Sequence, residues 1–108
     1  VGTPEYLAPE ILLKQEYGFE CDWWSFGVLL YEMITGIPPF YSKDKEVLYD
    51  NILTKDVEWK KYHTPVIKDL LTQLLTKDPQ QRLASAEAIM KHKFFAHIDW
   101  TRMLQRNY

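Results

Sequence analysis

Residues 20–35, ECDWWSFGVLLYEMIT, constrain this chain more than any other stretch. Wound as a helix, Trp23, Trp24, Phe26, Val28, Leu29, Leu30, Tyr31, Met33 and Ile34 cover nearly the whole circumference, and Asp22, Ser25 and Glu32 are the strong polar interruptions. A helix that is apolar all round is a buried one. Gly36 supplies a left-handed stop, and Pro38-Pro39 prevents the helix from resuming. The expectation is a central buried helix over 20–35, enclosed on every side, with the other segments packed about it.

Those segments also read as helical. Residues 1–10, VGTPEYLAPE, form a loop, because Pro4 and Pro9 push Thr3 and Ala8 toward extended geometry. Pro9 then opens a short helix to about Lys14, ending near Tyr17-Gly18. Ser42 or Asp44 caps a helix to about Leu53, with Val47, Leu48 and Ile52 on one side. Residues 54–63 are polar, aromatic and irregular. Thr64 caps and Pro65 starts the cleanest amphipathic stripe, Val66, Ile67, Leu70, Leu71, Leu74 and Leu75, which Asp78-Pro79 breaks. Ser85 caps a short helix through about Lys91, Phe94-Phe95 follows, and Asp99 caps a last helix carrying Trp100, Met103 and Leu104. With no alternating strand pattern and no repeat, the fold class expected is all-α.

Composition narrows the class. At 108 residues, 46% hydrophobic and 15% aromatic, the chain reads as a folded sequence of about single-domain size and not a disordered tail. No run approaches the roughly 20 apolar residues of a membrane span. The single cysteine, Cys21, excludes an internal disulfide and fits a reducing compartment. With no secretory signal either, a cytoplasmic location is expected, with nuclear or membrane recruitment left to domains outside this sequence. The first residue is Val1 and not Met, so a piece of a longer chain is expected. Residues 1–54 hold nine acidic side chains against three basic, and residues 55–108 hold six acidic against ten basic. The bases are scattered among acids, so no nucleic-acid-binding surface is expected. An acidic front half suits basic peptides if a site there supports it.

Several chemistries drop out on spacing. Cys21, His63, His92 and His97 lack metal-ligand spacing, so no metal site is expected. Asp22 and Glu32 lie about 15 Å apart along one helix, beyond the roughly 5–9.5 Å of a paired-carboxylate hydrolase. Ser25, Ser42 and Ser85 lack a nucleophile elbow, and Gly2, Gly18, Gly27 and Gly36 never cluster into a phosphate cradle. What remains are acids where apolar residues would cost less. A buried carboxylate is tolerated only when paired or hydrogen-bonded, so Glu10 and Asp22 each imply a partner unless solvated or, for Asp22, capping its own helix. Arg82, between Asp78-Pro79 and Leu83, is the distant cation best placed to answer one of them.

These residues resemble a specific family. Gly2-Thr-Pro-Glu-Tyr-Leu-Ala-Pro-Glu10, Asp22-Trp-Trp-Ser-Phe-Gly-Val28, Tyr31-Glu-Met33 and Gly36-Ile-Pro-Pro-Phe40 resemble the second half of a eukaryotic protein kinase domain, in which Ala-Pro-Glu is a signature motif. The double tryptophan, Arg82-Leu83 and His92-Lys-Phe-Phe-Ala-His-Ile-Asp-Trp100 are similar to the serine/threonine kinases related to the cyclic-nucleotide-dependent, C-type and B-type enzymes. The resemblance runs along essentially the whole chain. It implies the helical C-lobe of an α+β kinase fold: a partial kinase domain over 1–108, a loop for the position after the phosphoacceptor plus Ala-Pro-Glu over 1–10, and the start of a C-terminal extension over 99–108.

The resemblance also implies roles. Glu10 pairs with Arg82, Asp22 accepts hydrogen bonds from the catalytic-loop backbone, and Trp24 joins these three as a structural anchor. Thr3 supports a catalytic aspartate that is not in this sequence, and no catalytic residue itself lies here. Thr3, Pro4 and Leu7 contact the substrate around its acceptor, while Glu32, aided by Glu5, binds an arginine before it. The implied parent is a serine/threonine protein kinase transferring the γ-phosphoryl group of ATP, with Mg2+, to protein substrates carrying basic residues near Ser/Thr, and subject to an upstream activating kinase. The ATP-holding and catalytic motifs are absent from these 108 residues, so the chain alone is expected to be inactive and to bind no cofactor. The alternative is a pseudokinase or scaffold that keeps the fold without phosphotransfer.

Overall fold

A computed structural model of the chain describes residues 4–95. A 3-10 turn, Pro4–Tyr6, leads into α1 (Pro9–Leu12), α2 (Glu20–Thr35), α3 (Lys45–Thr54), α4 (Pro65–Leu74) and α5 (Ala86–Met90), with a second 3-10 turn at Lys93–Phe95. The described residues contain no strand, so the all-α expectation holds for them. The helix expected from Asp99 and the extension over 99–108 lie outside the described residues, as does Thr3.

Local chemistry sets most boundaries. Asp44, not Ser42, caps α3, its Oδ1 accepting from the amides of Glu46 at 2.9 Å and Val47 at 3.3 Å. Thr64 caps α4 through Ile67 N–H and Ser85 caps α5 through Ala88 N–H, each at 3.3 Å. Gly36 ends α2 with φ 96°. The first helix is shorter than its sequence predicts: Lys14 takes a left-handed φ of 57° and ends it two residues after Leu12. Lys14 N–H bonds Ile11 O at 3.1 Å and Gln15 N–H bonds Glu10 O at 2.9 Å, the doubled return bond of a Schellman stop. Those bonds offset the ~1–2 kcal/mol that a side-chain-bearing residue loses in this conformation.

The enclosure expected for α2 is half realised. Trp24, Gly27, Val28 and Tyr31 are buried, whereas Leu29 is exposed and Met33 is 74% exposed. Trp23, Leu30 and Ile34 are half-buried. Coverage comes from α4 and the opening turn, which leaves the Leu29–Met33 flank open. On one side Trp24 stacks on Phe40 (5.7 Å between ring centroids, 12° apart) within a core of Val28, Leu48, Ile52 and Leu75. On the other, Leu70, Leu74 and Ile89 pack beneath Trp23, Phe26 and Leu30. Two stripe members also turn out: Val47 on α3 and Val66 on α4 are exposed, because each sits in the first turn of its helix, ahead of the core contacts.

The close approach of α2 to α4 depends on Gly27. A Cβ there would lie 2.8 Å from Leu74 Cβ and 3.0 Å from Leu75 Cδ2. Gly27→Ala is therefore expected to overpack this crossing and lower stability by about 1–3 kcal/mol, although alanine is the better helix former. Unchanged urea midpoint and slope would contradict the approach described.

The irregular segment after α3 is fastened to α2 from its far end. Tyr31 OH donates to Glu58 O at 2.6 Å, and His63, 3% exposed, reaches Thr35. His63 Nδ1 accepts Lys60 N–H at 2.8 Å, so Nε2 carries the proton and donates to Thr35 Oγ1 at 2.9 Å. Burial, helped by Lys68 and Lys60, holds the imidazole below its ordinary value of 6.5, in the neutral form that this bonding needs. Its contribution to stability is whole above 6.5 and is lost as pH falls from there toward the depressed folded value, since the unfolded chain takes up the proton first. Urea unfolding between about pH 7 and 5 should show stability falling with pH, and His63→Gln should flatten that slope. An equal slope in the variant would locate the titration elsewhere.

Candidate functional site

The site starts from one carboxylate. Pro9 sets the first turn of α1 and extended Ala8 precedes it, which aims Glu10 inward to 1% exposure. An unpaired carboxylate at that depth would cost several kcal/mol. Arg82, 72 residues later in the turn between α4 and α5, meets it with both ends of its fork: Nη1 to Oε2 at 2.8 Å and Nη2 to Oε1 at 2.9 Å. The other donors are also used, Nε on Thr76 O at 2.7 Å, Nη1 on Glu20 O at 2.8 Å and Nη2 on Lys77 O at 3.0 Å. All five N–H groups of the guanidinium thus have acceptors. Its Cζ lies 5.0 Å from the Trp24 ring, so the charge rests on an aromatic face. One cation ties α1, the start of α2 and the segment after α4 together.

The opening turn is pinned to the middle of α2. Ser25 Oγ donates to Tyr6 O at 3.0 Å, and Tyr6 OH donates to a Glu32 carboxylate oxygen. Ser25 and Glu32 are seven residues apart on one helix face, about 10 Å along the axis, so Tyr6 spans them with its carbonyl at one end and its hydroxyl at the other. The bond to Glu32 raises the Tyr6 phenol above its ordinary value of 10.0, with burial and the charges of Glu32 and Glu5 adding. Glu5 and Glu32 therefore form an acidic locus about Tyr6. Pro4 and Leu7, half-buried beside it, close the turn through Leu7 N–H to Pro4 O at 3.3 Å.

Sequence reasoning singled out Glu5, Glu32, Pro4 and Leu7 but missed Tyr6 and Ser25. The available signal was the seven-residue spacing of Ser25 and Glu32, two polar groups on one face of an otherwise apolar helix. Asp22 joins no constellation here. It is exposed, it does not cap α2, whose N-cap is Phe19, and its carboxylate receives only the Cys21 thiol at 3.8 Å among the described residues. Burial, then Asp22, pushes that thiol above its ordinary value. Among the described residues no group of three or more His, Cys, Asp or Glu converges as a metal site.

Truncating Arg82 strands Glu10 without a counter-charge, and Arg82→Ala should cost about 3–5 kcal/mol in denaturant unfolding. Glu10→Leu with Arg82→Met should cost clearly less than the sum of the single changes. Additive losses, or a loss under about 1 kcal/mol for Arg82→Ala, would contradict the coupling.

This geometry has counterparts among known proteins. The profile of the protein kinase domain family matches residues 1–95. A RAC family serine/threonine-protein kinase homolog of Dictyostelium discoideum is 49% identical over 98% of the chain. The serine/threonine protein kinase ypkA of Aspergillus fumigatus is 50% identical over 99%, and the human RAC-beta serine/threonine-protein kinase 45% identical over 97%. The chain spans 24%, 17% and 23% of these relatives' lengths. No helix among the described residues is long and apolar enough to cross a membrane. A family profile covering nearly the whole chain, and relatives about half identical along it, match the resemblance read from the motifs, and the chain belongs to the protein kinase domain family.

Proposed function

We propose that this chain is the peptide-positioning part of a serine/threonine protein kinase whose parent protein transfers the γ-phosphoryl group of ATP to Ser/Thr of protein substrates in a basic context. Phosphoryl transfer is chiefly positioning and charge neutralisation, and this part supplies the first. The observation that carries the reading is the pinning of the Pro4–Tyr6 turn across α2, which holds Glu5 and Glu32 about one point beside Pro4 and Leu7. Glu32 and Glu5 draw an arginine that precedes the acceptor, Pro4 and Leu7 receive the side chain that follows it, and Thr3 supports the parent's catalytic aspartate. Glu10, Arg82 and Trp24 fix the base of that turn. Asp22 faces outward at the start of α2, with its carboxylate available to backbone N–H groups of the catalytic loop.

ATP and Mg2+ belong to the parent in this reading. The residues here do not fit them: the glycines do not cluster, and no acidic or imidazole group of three converges among the described residues. No step of the transfer is therefore assigned to this chain's side chains, and alone it is inactive. Tyr6 orients the carboxylate of Glu32, and its hydroxyl gives way to, or shares with, an incoming guanidinium.

The test is peptide phosphorylation by the full-length parent. A charged hydrogen bond is worth about 1.5–3 kcal/mol, so Glu32→Ala should lower kcat/KM about 10–150-fold on peptides with an arginine before the acceptor. Peptides without that arginine should lose little. Equal loss on both would remove the specificity, and no phosphorylation by the unaltered parent would favour a scaffold.

A further inference from the structure

A second feature lies away from the peptide turn, where the C-terminal ends of α3 and α4 meet the segment after α3. A cavity of about 410 Å3 opens there between Phe40, Val57, Trp59 and Leu75, and Lys77 is half-buried in its wall. Lys77 Nζ donates to Ile52 O at 2.7 Å, one of the carbonyls left without an intrahelical partner at the end of α3. It sits 4.4 Å from the Phe40 ring centroid and 5.7 Å from that of Trp24. Among the described residues it has no ion-pair partner.

The charged groups around it are few. Asp56 and Lys55 line the same cavity from the segment after α3. Glu10 and Asp78 line a cleft on the other side of Lys77, where the Glu10 carboxylate is already taken by Arg82. A carbonyl accepts from an amine as well as from an ammonium, so the Ile52 bond holds the nitrogen in place in either state. Burial brings the lysine down to about 8, against the opposing pull of Asp56. Exposed Lys14, Lys43 and Lys45 have no such enclosure.

We propose that Lys77 is a covalent modification site, a positioned amine at the wall of an apolar cavity that takes short-chain acyl groups from acyl thioesters. The Nζ lone pair attacks the acyl carbon, an amide C–N bond forms, the C–S bond breaks, and the leaving thiolate takes the proton that the nitrogen releases. The aromatic and aliphatic walls receive the acyl chain. The amide keeps one N–H for Ile52 O and loses the positive charge held over Phe40 and Trp24. A modified chain thus keeps the α3 cap while the cation–ring contact is lost.

The experiment is timed acetylation of the native chain with acetyl-coenzyme A, with each lysine quantified by peptide mass spectrometry, beside the same reaction in urea. At about pH 7.5 an ordinary lysine is neutral in roughly one molecule per thousand. Lys77 is expected to acetylate at least about tenfold faster than Lys14, Lys43 and Lys45 in the native chain, to lose that lead in urea, and to level off in rate just above pH 8. A native rate at or below that of the exposed lysines overturns the proposal. So does a lead that persists in urea, or a rate still rising tenfold per pH unit up to about pH 10.

Discussion

Arg82 carries five hydrogen bonds to three separate parts of the chain, and the remaining geometry follows from that. A four-residue helix such as α1 is too short to persist by its own propensity. It exists because Glu10 is drawn to the guanidinium and because the Lys14 stop closes the turn behind it. Two backbone acceptors just after α4, on Thr76 and Lys77, hold the arginine from its own side of the fold, so its fork is aimed at the carboxylate. Trp24 lies beneath it with its ring face against the guanidinium, and its buried Nε1 has no acceptor among the described residues.

From that anchor the acidic locus is placed by covalent continuity. Glu10 holds α1, Ala8 is buried in the core beside Trp24, and the turn before it can only lie along α2. Tyr6 then measures out two helical turns between Ser25 and Glu32. In the proposed peptide-positioning role, the substrate's register is set by this ruler: Glu32 on α2, for the basic residue, and Pro4 and Leu7 on the opening turn, for the residue after the acceptor, are held together by Tyr6. A site supported on a helix and an ion pair keeps its geometry better than one on a free loop.

Element existence was legible because it is written in local chemistry: Asp44, Thr64 and Ser85 before apolar runs, Gly36 after one. The end of α1 was not, since Lys14 adopts a glycine-like conformation only because two return bonds hold it, and these follow from Glu10 being fixed elsewhere. The circumference of α2 told that it needs covering, yet the 3.6-residue period says nothing about which flank these particular neighbours cover, and so the Leu29–Met33 side was misread as enclosed. The Glu10–Arg82 meeting was readable as a demand for a partner with Arg82 as the candidate, and the choice of Glu10 over Asp22 was implied by the family resemblance. His63 and Tyr6 were invisible for a common reason. Each is an aromatic residue in an irregular stretch whose partner is set by tertiary contact, and no periodicity marks it.

The 72-residue span between Glu10 and Arg82 has a temporal side. During synthesis at about 5–20 residues per second, Glu10 emerges roughly 4–14 s before its counter-ion exists. Throughout that interval its carboxylate has no counter-charge, although Ala8 and α1 can already meet α2 and α3 as those helices emerge. The apolar packing around Ala8 can therefore precede the ion pair, and the charge of Glu10 is answered only once the segment after α4 has been made.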